Sequence, residues 1–144
     1  MVAAVQGSFA QDQRTAGPSV DVVKSATCGC CAKWVDHMRK AGFTVQVTDL
    51  EEPELQKVKE KHGVPASARS CHTARVEGFT IEGHVPAAEV KRLLKEKPKV
   101  VGIAVPGMPL GSPGMEVSGM QPHPYQVLSF DKQGATEVYS VQKP

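Results

Sequence analysis

The hydrophobic pattern becomes regular at residue 20. Val20, Val22 and Val23 in SVDVVKS form a short β-branched run that predicts a strand. The period changes after Thr27-Cys28-Gly29-Cys30-Cys31. Trp34, His37, Met38 and Ala41 fall at helical spacing on one face, with Lys33, Asp36 and Lys40 on the other. Arg39 and Lys40 suit the negative end of that helix, and Gly42 suits its C′ position. Phe43, Val45 and Val47 then alternate with polar residues as a second strand. Two strands joined by a helix make a βαβ unit, so these strands are expected to be parallel.

Asp49 to Glu52 place acidic residues before Pro53, a helix-start signature; Leu55 and Val58 mark the buried side, and His62-Gly63 ends the element. After Val64-Pro65 and a small polar stretch to Ser70, Cys71–Val76 and Phe79–Val85 read as two short strands joined at Glu77-Gly78. Pro86 opens a third helix with Val90, Leu93 and Leu94 inside, and Pro98 closes it. From Val101 to Pro124 the chain is rich in Gly, Pro and Met and has no usable period. It reads as one long loop, of the kind that is usually functional or mobile. Tyr125–Phe130 and Thr136–Val141 form a hairpin across Asp131–Gly134.

The predicted class is α/β: a βαβ-α-ββα core, a Gly/Pro/Met-rich loop and a C-terminal hairpin. That is the thioredoxin-like order. In such a fold reactive cysteines follow the first strand at a helix N-terminus, and a Val-Pro loop before the third strand packs against them. Cys28–Cys31 and Val64-Pro65 are the counterparts here. Order alone speaks for fold more than for function.

A chain of 144 residues fits one domain, placed at 19–144. With 40% hydrophobic and 22% charged residues it is not a disordered tail protein, and no apolar run is long enough to span a membrane. The net charge is +2, scattered along the chain, and aromatics are 5%, which argues against nucleic acid as a partner. In residues 1–18, Ala3, Ala4 and Val5 are too few for a complete signal core, yet Ser8-Phe9-Ala10 fits a cleavage site. The segment is expected to be the remnant of an export signal, or else a disordered tail, outside the fold.

Four cysteines complete the picture: Cys28, Cys30 and Cys31 crowd into four positions, and Cys71 stands alone. Unpaired N–H groups and a partial positive charge at a helix N-terminus favour thiolate there. Three readings compete. Two structural disulfides would close loops too short to gain much entropy. A thiol–disulfide oxidoreductase would use the C-x-x-C of Cys28 and Cys31, but Cys30 beside it invites scrambling. A soft-metal thiolate site is favoured, because adjacent sulfurs bridge several close ions more easily than they surround one. Zinc usually shows C-x₂₋₄-C pairs, so copper, and more than one Cu(I), is the expected metal.

The histidines and methionines divide. His72 follows Cys71 directly, and strand neighbours face opposite sides, so the two share a metal only at a strand end or bulge. His37, beside Trp34, reads as a core-edge histidine, and so does His84; His123 reads as solvated. Met108, Met115 and Met120 recur through the long loop as soft thioethers, which more often cover apolar surface than bind copper.

The stretches CGCCAKWVDHMRKAGF (28–43), GVPASARSCHTARVEGFTIEGHVPAAEVKRLL (63–94) and AVPGMPLGSPGME (104–116) together resemble the CopG-type copper-resistance family, small exported metal-binding proteins of Gram-negative bacteria. The resemblance covers about residues 19–140. It implies a thioredoxin-like, periplasmic, copper-binding protein found with copper-efflux components. Carried over, the ligands are Cys28, Cys30, Cys31 and Cys71, with His72 in support. No enzymatic activity is implied; the rival from another class remains the oxidoreductase using Cys28 and Cys31.

Overall fold

The computed structural model describes residues 17–144, so the expected export-signal remnant lies almost wholly outside the described residues. Strand β1 (Ser19–Lys24) leads into helix α1 (Gly29–Lys40), and strand β2 (Thr44–Asp49) returns parallel to β1 with Val20 opposite Val45. Helix α2 (Glu52–Lys61) and a short 3₁₀ turn (Ala66–Ala68) follow. Strands β3 (Thr73–Val76) and β4 (Phe79–Glu82) make a hairpin, and helix α3 (Ala87–Glu96) crosses to β5 (Gly102–Ala104). β6 (Tyr125–Phe130) and β7 (Thr136–Gln142) end the chain as a second hairpin. The seven strands form one mixed sheet in the order β2-β1-β3-β4-β5-β6-β7, with β1/β2 and β4/β5 parallel.

Strand alternation sorts the residues to two faces. Val20, Val22, Ala74, Val76, Ile81 and Ile103 point to one side, where Trp34, Val35 and Met38 of α1 and Val90 and Leu93 of α3 cover them. The other side carries Thr73, Thr80 and Glu82. Lys59 of α2 hydrogen-bonds Thr73 and Glu82 there, and the Thr80 hydroxyl donates to the His62 carbonyl. A smaller apolar cluster of Val64, Ala68, Ala104 and Phe130 completes that face.

The elements expected from periodicity are present, with four corrections. Residues 101–124 are not one loop, because Gly102–Ala104 form β5, fully buried against β4. A strand covered on both faces shows no alternation, so its short apolar run merged into the Gly/Pro-rich stretch. β3 begins at Thr73, not Cys71, and β4 ends at Glu82, not Val85. Val47 is exposed, since β2 is an edge strand whose C-terminal half is uncovered among the described residues. On α2 the buried partner of Leu55 is Lys59, while Val58 is half-buried. Among the described residues no helix is long and apolar enough to cross a membrane.

Candidate metal centre

Cys28 is the N-cap of α1, in extended conformation, and its carbonyl accepts the Ala32 N–H at 3.3 Å. No side chain caps the first turn and no acidic residue lies in it, so its free N–H groups and positive dipole end face the sulfurs. Cys28 and Cys31 are joined as a disulfide, with Cα atoms 5.4 Å apart, while Cys30 and Cys71 are free thiols. Cys31 points into the core and is fully buried; the other three are half-buried. The Cys28 and Cys30 sulfurs lie 3.5 Å apart. All four Sγ atoms fall within 4.8 Å of one another. The helix end and the chain before β3, 40 residues apart in sequence, thus meet in one sulfur cluster.

Cys71 and His72 sit just outside the ladder, at the strand end where neighbours can converge. Cys71 Sγ is 3.3 Å from His72 Nδ1 and 3.1 Å from His84 Nε2, so Cys71, His72 and His84 form a second group of donor atoms that shares a sulfur with the first. His84 was expected at the core edge, and the structure instead turns it onto Cys71. Its Nδ1 lies 2.6 Å from the Pro113 carbonyl, which can only accept. Nδ1 therefore carries the proton and Nε2 offers its lone pair toward Cys71. His72 is fully buried, stacks on Trp34 with centroids 4.4 Å apart, and leaves Nε2 without a hydrogen-bond partner. The Trp34 indole N–H donates to the Val85 carbonyl at 2.8 Å, fixing the wall behind His72.

Burial sets the protonation states. It pushes the Cys71 thiol up to about 11, so without a bound cation this sulfur is a thiol at neutral pH. It holds His72 well below the ordinary imidazole value and lowers His84 as well, so both rings are neutral donors. A bound cation would supply the charge that deprotonates Cys71.

The loop after β5 roofs the centre. Met108 Sδ lies 3.6 Å from Cys30 Sγ; Met115 is half-buried and Met120 is exposed beside Leu110 and Pro122. The Ser70 hydroxyl donates to the Gly107 carbonyl at 2.5 Å. Gly114 takes φ +96°, and a Cβ there would stand 2.7 Å from the Cys30 carbonyl oxygen and 2.9 Å from His84 Nδ1. Only glycine lets the roof approach this closely. His37 and His123 stay outside the centre, as expected. His37 Nε2 accepts the Ala87 N–H at 3.0 Å, and His123 is exposed.

Comparison with known proteins places this geometry in a family. Two solved structures of a copper resistance protein CopG, forms 1 and 2, match at 41% and 42% identity with TM-scores of 0.81 and 0.80. They cover 89% and 88% of this chain and 99% of each of those chains. The chain belongs to this CopG copper-resistance family. A family model described as a protein of unknown function, DUF411, matches residues 68–115, the span that holds Cys71, His72, His84 and Met108. No curated protein matches the chain. The CopG family is the one that the C-x-C-C, S-C-H-T-A and V-P-G-M-P motifs point to.

Proposed function

We propose that this CopG-family protein binds copper as Cu(I) through Cys28, Cys30, Cys31 and Cys71, with His72 in support, and that it serves copper resistance. The observation that carries this reading is the gathering of four sulfurs within 4.8 Å from two distant segments. Thiolates select Cu(I), and sulfurs this close favour bridging, so the protein holds more than one copper ion per chain. A thiol reductant that supplies two electrons and two protons converts the Cys28–Cys31 disulfide into two further thiols at the positive end of α1, and is itself oxidised to a disulfide. Deprotonation on binding releases the thiol protons to solvent and leaves thiolate charge that offsets the charge of the incoming ions. His84 joins this ligand set on the strength of its unprotonated Nε2 beside Cys71.

The β2-β1-β3-β4 order, with cysteines at the start of α1, supports a thioredoxin-like description of the core. The same family resemblance supports a periplasmic protein and partnership with copper-efflux components. The domain is placed at 19–144.

A second reading has its own observation. The Cys28–Cys31 bond is the redox pair that a thiol–disulfide oxidoreductase would use. Anaerobic titration of the reduced protein with Cu(I) against a competing chelator decides the first reading. Saturation above one copper per chain supports it; saturation at one, or a preference for zinc, overturns the multinuclear site.

A further inference from the structure

Lys59 and Glu82 are both fully buried and lie 2.7 Å apart, one on α2 and one at the end of β4. Replacing a buried ion pair by apolar residues of similar volume is often neutral or stabilising. A reason other than stability is therefore needed, and the contacts of the carboxylate supply one. Glu82 Oε2 accepts the Ser70 N–H at 2.9 Å, and Oε1 accepts the Thr73 hydroxyl at 2.5 Å. Ser70 and Thr73 are the residues on either side of Cys71-His72. Lys59 Nζ donates to Glu82 Oε2 and, at 3.0 Å, to the Thr73 hydroxyl. That second bond leaves the hydroxyl proton free to point at Glu82, so every acceptor is matched. Neither Lys59 nor Glu82 is among the clustered donor atoms of the metal centre.

We propose that the buried Lys59–Glu82 pair is a positioning device: one carboxylate grips the chain on both sides of Cys71-His72 and fixes where their donor atoms point before metal arrives. Methionine or leucine at residue 82 accepts none of these bonds, and glutamine has one acceptor oxygen for three donors. Because the Ser70 hydroxyl also ties down Gly107, the same grip steadies the roof that carries Met108. The inference rests on the proposed copper-binding reading and deepens it.

The test is anaerobic Cu(I) competition titration of the reduced full chain. It compares the wild type with Lys59→Met/Glu82→Met and with Thr73→Val, each also made in a Cys71→Ser background. The apolar pair is expected to keep a cooperative thermal melt while Cu(I) affinity falls by about tenfold or more, the scale of lost outer-shell partners. Thr73→Val keeps the branched shape and gives a smaller loss in the same direction. In the Cys71→Ser background both changes lose the part of their effect that runs through Cys71 and keep only the part that runs through His72 and the roof, so their effect shrinks. A general loss of stability would instead lower affinity equally in both backgrounds, and that result overturns the proposal. So does a folded apolar-pair variant with wild-type affinity. If that variant does not fold, Thr73→Val carries the same comparison, and unchanged affinity there overturns the proposal. A wild type that takes up no Cu(I) overturns the copper reading and this inference together; a loaded wild type with indifferent variants overturns this inference alone.

Discussion

His84 Nε2 stands 3.1 Å from Cys71 Sγ because the two residues are partners in the β3–β4 hairpin, two steps beyond the last paired residues, Thr73 and Glu82. The His72 carbonyl still accepts the Gly83 N–H at 3.0 Å, so the register persists past the strand ends. The hairpin therefore delivers a sulfur and an imidazole side by side to the N-terminus of α1. His84→Ala is expected to lower Cu(I) affinity by about tenfold or more. Equal loading and affinity in chelator competition would remove His84 from the ligand set.

Cys71→Ser is expected to damage copper loading as badly as Cys30→Ser. The two sulfurs come from segments far apart in sequence yet lie within 4.8 Å of each other. Metal analysis of each variant after anaerobic loading checks this. Full loading of Cys71→Ser would make Cys71 a buried bystander.

The apo protein is expected to lose stability as pH falls below about 6.5, the ordinary imidazole value. Burial lowers His37 and His84 and holds His72 well below that value. Protons therefore bind the unfolded chain more readily, and stability rises with pH across the window beneath 6.5 and is fully present above it. Protonating His37 also forfeits its bond from the Ala87 N–H. Thermal melts at pH 5 and 7.5 measure the slope. His37→Gln should flatten it, and a melt independent of pH over this range would contradict the burial argument.

Much of this site is legible in the sequence, and the gaps have physical causes. The crowding of Cys28, Cys30 and Cys31 after a β-branched run places them at a helix start, where they are found. Cys71 and His72 converge at a strand end, one of the two circumstances, with a bulge, in which strand neighbours can share a site. His84 was missed although a signal existed: counting outward from the turn at Glu77-Gly78 pairs residue 71 with residue 84. Lys59 was missed for a different reason. A lysine at a helix position reads as solvated unless its partner is known, and nothing in the strand pattern of residues 79–85 shows that Glu82 is buried. The roof over the centre has no period at all, so nothing in the pattern distinguishes Met108 from Met115 and Met120.

Gly114→Ala is expected to lift that roof. The added Cβ would meet backbone oxygen at Cys30 and the His84 ring, at a φ that side chains rarely adopt. The cost is about 1 kcal/mol or more, seen as a lower thermal midpoint, together with weaker copper retention as the Pro113 carbonyl leaves His84. A variant with unchanged melting and unchanged affinity would show that the close approach does not matter.

The last prediction separates the two functional readings. The reduced, metal-free protein is expected to be a poor general dithiol reductant, although Cys28 and Cys31 do form a bond. An efficient exchanger needs one attacking thiolate and one resolving thiol. Here Cys30 lies 3.5 Å from Cys28 and competes for any mixed disulfide on that sulfur. Cys71 adds a fourth thiol within 4.8 Å, although burial keeps it protonated. Access is narrow as well, since Met108 lies over Cys30 and Cys31 is fully buried. Bound copper would further occupy the nucleophile. An insulin-reduction assay decides the matter. Slow turnover that rises when Cys30→Ser removes the competing thiol, with copper loading lost in the same variant, supports a metal cluster. Activity near that of a dedicated thioredoxin, retained in Cys30→Ser and abolished in Cys28→Ser, would make the disulfide pair the working group and copper its occasional guest.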